Sequence, residues 1–192
     1  MKITTNGRDI YVEDATELEF RGGSWRNLGG AERKNKITGK IVNSEGNRNF
    51  CLFMKKDQAK IFEENNVKVT PYGGDLDSGE EPEWYFISVK VNTTTSKNPP
   101  VIYIQKKNGK REELTPDLYS RVDSMTVKSV DMSLNFWFGS SAEHTPVYAN
   151  LIGIVPQLNP IQEKWQAMDE IADADDMGVG DTNENDDMTA PF

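Results

Sequence analysis

Trp84-Tyr85-Phe86-Ile87-Ser88-Val89-Lys90-Val91-Asn92 is the stretch on which the fold turns. Read as a strand, it places Tyr85, Ile87, Val89 and Val91 on one face, where they suit a core. Trp84, Phe86, Ser88 and Lys90 fall on the other. Two aromatics followed by a base on a non-core face is what stacking of unpaired bases requires. Ring faces accept any base, at about 1–3 kcal/mol each, and a nearby cation holds the phosphate. The competing reading packs Trp84 and Phe86 beneath a loop or helix.

Outward from this segment the same pattern repeats. With Ile102 and Ile104 inward, Tyr103 and Gln105 point outward and lead into Lys106 and Lys107. With Val130, Met132, Leu134, Phe136 and Phe138 inward, Ser133, Asn135 and Trp137 point outward. Strands are expected at 84–91, 101–107, 126–138 and 147–155, and earlier at Leu18–Arg21, Ile37–Val42 and Phe50–Met54. The turn-rich Asn43–Asn47 is read as joining the last two. Asp57 is read as the cap of a helix to about Asn65 that presents Ala59 and Phe62. Thr115-Pro116 opens another, with Leu118, Val122 and Met125 on one side. The expected fold is therefore mainly β: an OB-like barrel over 1–160 with short helical inserts. Residues 161–192 are expected to hold a short helix and then a disordered acidic tail.

The 192 residues carry a net charge of −9. The average misleads, because 161–192 hold ten acids and one base, whereas 1–160 hold 21 of each. Residues 21–48 are locally basic, with Arg21, Arg26, Arg33, Lys34, Lys36, Lys40 and Arg48 against Glu32 and Glu45. Trp25 and several glycines sit among them. Bases interleaved with an aromatic suit a groove that tracks phosphates, although a solvated basic loop has the same composition. Lys106, Lys107, Lys110 and Arg111 form a second basic cluster about Asn108-Gly109, expected at a hairpin tip.

From Asp173 onward there are seven acids and no base, a composition that cannot offset the entropy of ordering. The chain then ends Asp186-Asp187-Met188-Thr189-Ala190-Pro191-Phe192. Acids before a terminal Pro-Phe make a tethered peptide whose ring and carboxylate can enter a base-rimmed apolar pocket on a partner. Asp186, Asp187, Pro191 and Phe192 are the expected partner-binding residues.

Chemistry of other kinds has little to work with. His144 is the only histidine, the one cysteine is Cys51, and no phosphate-cradling Gly-Lys-Ser/Thr motif occurs. Asp75–Glu80 begins like a calcium loop but lacks the later acid. No catalytic activity, cofactor or metal is expected. No run nears the roughly 20 apolar residues of a membrane span, and Met1–Thr5 is not a signal peptide, so the cell interior is the expected compartment.

The ending resembles that of bacterial single-stranded-DNA-binding proteins, with Met188, Thr189 and Ala190 as a longer spacer before Pro191. The body, over roughly 18–155, is more similar to bacteriophage single-stranded-DNA-binding proteins. That likeness rests on Arg26-Asn27-Leu28, Gly46-Asn47-Arg48-Asn49-Phe50 and Pro99-Pro100-Val101-Ile102-Tyr103. It implies an OB fold, single-stranded DNA bound on aromatic and basic residues, and a role in phage replication, recombination or repair in the host cytoplasm. The expected DNA-binding set is Arg21, Trp25, Arg26, Lys34, Lys36, Lys40, Arg48, Trp84, Phe86, Lys90, Tyr103, Lys107 and Trp137. On this reading the tail competes with DNA and recruits replication or recombination proteins. Rival readings are a strand-annealing mediator and a DNA-mimicking inhibitor of a host enzyme.

Overall fold

A computed structural model describes residues 1–74, 79–94, 96–139, 141–165 and 168. It is mainly β with a few short helices. The strands are β1 (Lys2–Asn6), β2 (Asp9–Ala15), β3 (Arg26–Asn27), β4 (Arg33–Lys34), β5 (Ile41–Asn43), β6 (Asn49–Met54), β7 (Thr70–Tyr72), β8 (Trp84–Lys90), β9 (Val101–Gln105), β10 (Arg111–Leu114), β11 (Val127–Phe136) and β12 (Val147–Pro156). Helices α1 (Lys56–Glu63) and α2 (Ser120–Asp123) and a 3-10 turn, Gly23–Trp25, interrupt them.

Hydrogen bonding orders the main sheet β1-β2-β11-β12-β8-β6-β3. β12 is the pivot. It runs antiparallel to β11, parallel to β8 through Val147 and Tyr148, and parallel to β9 from Leu151 to Ile154. Among the described residues no pairing joins β1 to β3, so hydrogen bonding traces the strands as an open path.

Two-residue alternation explains the core. Ile87 and Val89 on β8 face Leu52 and Phe50 on β6, and all four are fully buried. Ile102 against Ile152 continues this layer, as do Val130 and Leu134 on β11. On α1, Ala59 and Phe62 are buried as the helical spacing requires.

Several expectations give way to other structure. Leu18–Arg21 is a turn, since Thr16 N–H donates to Glu19 Oε2 at 2.8 Å and Phe20 N–H to the Thr16 carbonyl at 2.8 Å. That is capping-box chemistry, Thr-x-x-Glu, which outweighs the apolar alternation. Strands β1 and β2, not assigned from the sequence, occupy one flank instead. Ile41–Asn43 pairs with Arg33–Lys34 rather than with Phe50–Met54, which pairs with β3 and β8. Asp57 lies in the first turn of α1, whose cap position is Lys55; Gln58 closes it by accepting the Lys55 N–H at 3.0 Å. The Thr115 helix contracts to α2. Phe138, expected inward, is 48% exposed because β11 stops at Phe136.

Close contacts divide the chain into Met1–Gln157 and Leu158–Phe192. Within the second unit, residues 160–165 form a helical turn whose Ile161 and Gln162 N–H groups are capped by Asn159 Oδ1. No helix among the described residues is long and apolar enough to cross a membrane.

Candidate nucleic-acid interface

The face of the main sheet opposite the core carries two groups of aromatic and basic side chains. At the Trp84 end of β8 the register sets Phe86 beside Phe53 and Trp84 beside Tyr72. Trp25, delivered by the 3-10 turn, packs edge-on against Phe53, Tyr72 and Phe86 at 5.0–5.4 Å. This makes a small second core, with Phe53 fully buried at its centre. Phe86 is half-buried under Trp25 and Tyr72. The covered alternative holds for this ring, which supports its neighbours and is not an open stacking surface.

Cations already occupy the rings that remain. The Arg21 guanidinium lies 3.9 Å from the Phe53 ring centre and 5.1 Å from those of Tyr72 and Trp84. Lys55 Nζ sits 3.7 Å over Trp84, whose indole N–H donates to Glu83 at 2.9 Å. Contacts of this kind are worth about 0.5–2 kcal/mol each, so an incoming base must displace a cation from Trp84.

The other end of β8 is open. Lys90 pairs with Tyr148, and Tyr148 pairs with Asn135, one residue before the end of β11. Beyond it Trp137, 52% exposed, is held by its backbone N–H donating to the Pro146 carbonyl at 3.0 Å. Between Trp137, Tyr148 and the 96–100 segment lies a cleft of about 640 Å³. Its walls include Lys97 and the amides of Asn92, Asn135 and Asn150. A second cavity of about 200 Å³ shares Asn92 and Tyr148 with it and adds Arg48 and Lys90, so the two form one groove. Lys90 Nζ stands 5.7 Å from the centre of the Tyr148 ring. The groove thus combines the exposed Trp137 ring, the half-buried Tyr148 ring, three cations and several amides, the set that holds bases by stacking and phosphates by charge. It starts roughly 20 Å from the Trp84 cluster, at the span of a seven-residue strand.

Other expected residues fall elsewhere. Arg26 is fully buried, and all five of its N–H groups are spent. They go to the carbonyls of Arg21, Val122 and Met125 and to both carboxylate oxygens of Glu17. Burial pulls its pKa down and Glu17 opposes that, a structural arrangement with nothing left for a phosphate. Arg48 lines the groove but also clamps it, donating to the Leu28 carbonyl, Thr93 Oγ1 and the Pro116 carbonyl. Lys34, Lys36 and Lys40 are exposed on the separate β4–β5 hairpin. Tyr103 shares the outer face but lines a different depression, with Arg111 and Asp131. Lys107 is at the tip of the β9–β10 hairpin, where Lys106 and Lys110 close a turn over Gly109 (φ +79°), at the opposite end of β9 from Pro100. Asp186, Asp187, Pro191 and Phe192 lie outside the described residues, as does the tail's expected disorder.

Tyr148, Asn150 and Lys97 were missed. Tyr148 was legible, because it alternates with Val147 and Ala149 on an expected strand. Lys97 sits in an aperiodic Thr/Ser/Asn/Pro stretch that carries no such signal. Burial pushes the Cys51 thiol up to about 11, and among the described residues no three His, Cys, Asp or Glu side chains gather as metal ligands.

No family model matches the sequence, and no curated protein matches it. The structure is similar to solved structures of the single-stranded DNA-binding protein from bacteriophage Enc34. The complex with single-stranded DNA aligns at a TM-score of 0.40 and 16% identity, over 80% of this chain and 88% of that one. Another structure of the same protein aligns at 0.42 and 15%, over 83% and 91%.

Proposed function

We propose that this protein binds single-stranded DNA, without catalysis and with little dependence on sequence, along the outer face of an OB-like sheet. The observation that carries the reading is the groove in which Trp137 and Tyr148 face open space between Lys90, Lys97 and Arg48. Stacking uses ring faces that every base possesses, and duplex DNA hides those faces. Trp25, Trp84, Arg21 and Lys55 form a second contact point on the same face, reached once a cation yields to a base. Lys34, Lys36 and Lys40 add charge from the flanking hairpin, and Tyr103 and Lys107 are peripheral. The acidic C-terminal segment competes for these cations and presents Pro191-Phe192 to replication or recombination proteins. A phage protein of this kind works in the cytoplasm of its bacterial host.

Titrating the full chain with single-stranded and blunt duplex oligonucleotides, read by tryptophan fluorescence and gel shift, tests the proposal. Quenching by single strands that weakens as salt rises is expected, through release of counterions. Equal affinity for the duplex at moderate salt refutes it.

A further inference from the structure

We infer that Ile37, at the tip of the β4–β5 hairpin, is a wedge that inserts between neighbouring bases of the bound strand; the inference rests on the proposed DNA-binding function. Residues 33–43, Arg-Lys-Asn-Lys-Ile-Thr-Gly-Lys-Ile-Val-Asn, contain four bases and no acid. The hairpin stands outside the main sheet, yet its root is fixed. Arg33 donates to the carbonyls of Gly23, Ser24 and Arg26, beside the turn that carries Trp25. At the other leg, Asn43 Oδ1 accepts from Asn49 Nδ2 at 2.7 Å, and Asn49 is the β6 partner of Lys90. The root therefore adjoins both contact points on the outer face.

The tip is ordered as well. Asn35 Oδ1 accepts the N–H groups of Ile37 and Thr38 at 2.9 Å, and Asn35 N–H donates to the Lys40 carbonyl at 2.8 Å. On this built turn Ile37 is 95% exposed, with Ile41 and Val42 also exposed behind it. Lys36 and Lys40 flank it, both exposed. A rigid apolar point inside a cationic collar, rooted next to stacking residues, fits a polyanion whose units are apolar plates. Apolar side chains inserted between base steps unstack them at a cost that rises with stacking strength. On a strand whose bases stack well much of the apolar contact is spent on that cost, so Ile37 contributes most where the bases hardly stack.

The test compares oligo(dA), which stacks strongly, with oligo(dT), which hardly stacks, using the intact chain and the Ile37→Ser and Ile37→Leu variants. Ile37→Ser should weaken oligo(dT) binding about fivefold, the change expected when roughly half an isoleucine side chain loses its apolar contact. Binding to oligo(dA) should stay within about twofold, since the strand regains its own stacking when the wedge is removed and the lysine collar holds phosphates whatever the base. Ile37→Leu should restore the oligo(dT) affinity. A 2-aminopurine placed in the oligo(dA) should brighten on binding to the intact chain and to Ile37→Leu, and not to Ile37→Ser. Equal effects on the two polymers, or none on either, overturn the inference while leaving the proposed function standing. So does a change of oligomeric state in Ile37→Ser with the affinity ratio intact, which would make the tip a contact between copies. Failure of the intact chain to bind either polymer overturns both readings.

Discussion

Trp137 and Phe86 both point away from the core, and their surroundings give them opposite tasks. Trp137 is half in water, beside a cleft it does not fill, so Trp137→Ala removes a stacking surface and little packing. Single-strand affinity should fall by about 1–3 kcal/mol while the melting temperature holds. Phe86 is packed at 5.2 Å on Phe53 and 5.4 Å on Trp25. Phe86→Ala should instead cost about 3 kcal/mol of stability, with affinity following only as far as the cluster loosens. Calorimetry and fluorescence titration on the same two proteins separate these outcomes, and the reverse pattern would exchange the two roles. Strand periodicity placed both rings outward but could not say what would cover them, since Trp25 arrives from 61 positions earlier in the chain. Cys51 gives a third residue-scale expectation. With its pKa at about 11, against about 9 for an unburied thiol, the folded protein keeps it protonated at pH 8. Alkylation by iodoacetamide at that pH should be slow until denaturant is added. Because the folded pKa is the higher one, the associated stability is complete below about pH 9 and is lost as pH rises toward about 11.

At the level of elements, the connection between β3 and α2 decides how the basic 21–48 segment is held. Asp123 accepts the N–H groups of Leu28 at 2.7 Å and Gly29 at 3.0 Å, and Arg26 reaches one carbonyl within the same helix, Val122, and one just past it, Met125. Gly29 is required there because a Cβ would meet Ser120 Cβ at 2.8 Å and Ser120 Cα at 3.1 Å. Gly29→Ala should therefore push β3 off α2 and lower stability by about 1–3 kcal/mol, measurable by chemical denaturation. A neutral result would mean that the short helix yields without cost. None of this was legible in sequence: Arg26 reads as one more base in a basic run, and apart from the Arg21 carbonyl its partners lie at Glu17 and beyond residue 120. By contrast β8, β9, β11 and β12 were legible, because Ile, Val, Phe and Leu recur at every second position over strands buried on one face. The turn at Thr16–Phe20 was misread although Thr16 and Glu19 spell its cap, since Leu18 and Phe20 alternate as strand residues do.

For the whole molecule the governing quantity is the separation of charge, with 1–160 neutral and seven acids without a base from Asp173 onward. The groove and the β4–β5 hairpin bring seven of the 21 bases of the neutral part, Arg33, Lys34, Lys36, Lys40, Arg48, Lys90 and Lys97, on and beside one face. Under the proposed function, a polyanion joined to the same chain by a flexible tether would meet those bases at an effective concentration in the millimolar range and would compete with DNA even with a weak affinity of its own. Removing residues 173–192 should accordingly raise single-strand affinity. The gain should be largest at about 0.01–0.05 M salt and fade toward about 0.15 M, where charges more than about 8 Å apart are screened. Deleting Phe192 alone leaves every acid in place, so DNA binding should stay as it was while capture of a partner through the Pro-Phe terminus is lost. Titrations of the intact chain, the truncated chain and the Phe192 deletion with single-stranded DNA across that salt range put the three affinities on one scale. An affinity unchanged by truncation at low salt would rule out competition and leave the acidic segment as a recruitment peptide only. A truncated chain whose advantage persisted undiminished at high salt would point instead to a direct, short-range contact between the acidic segment and the groove.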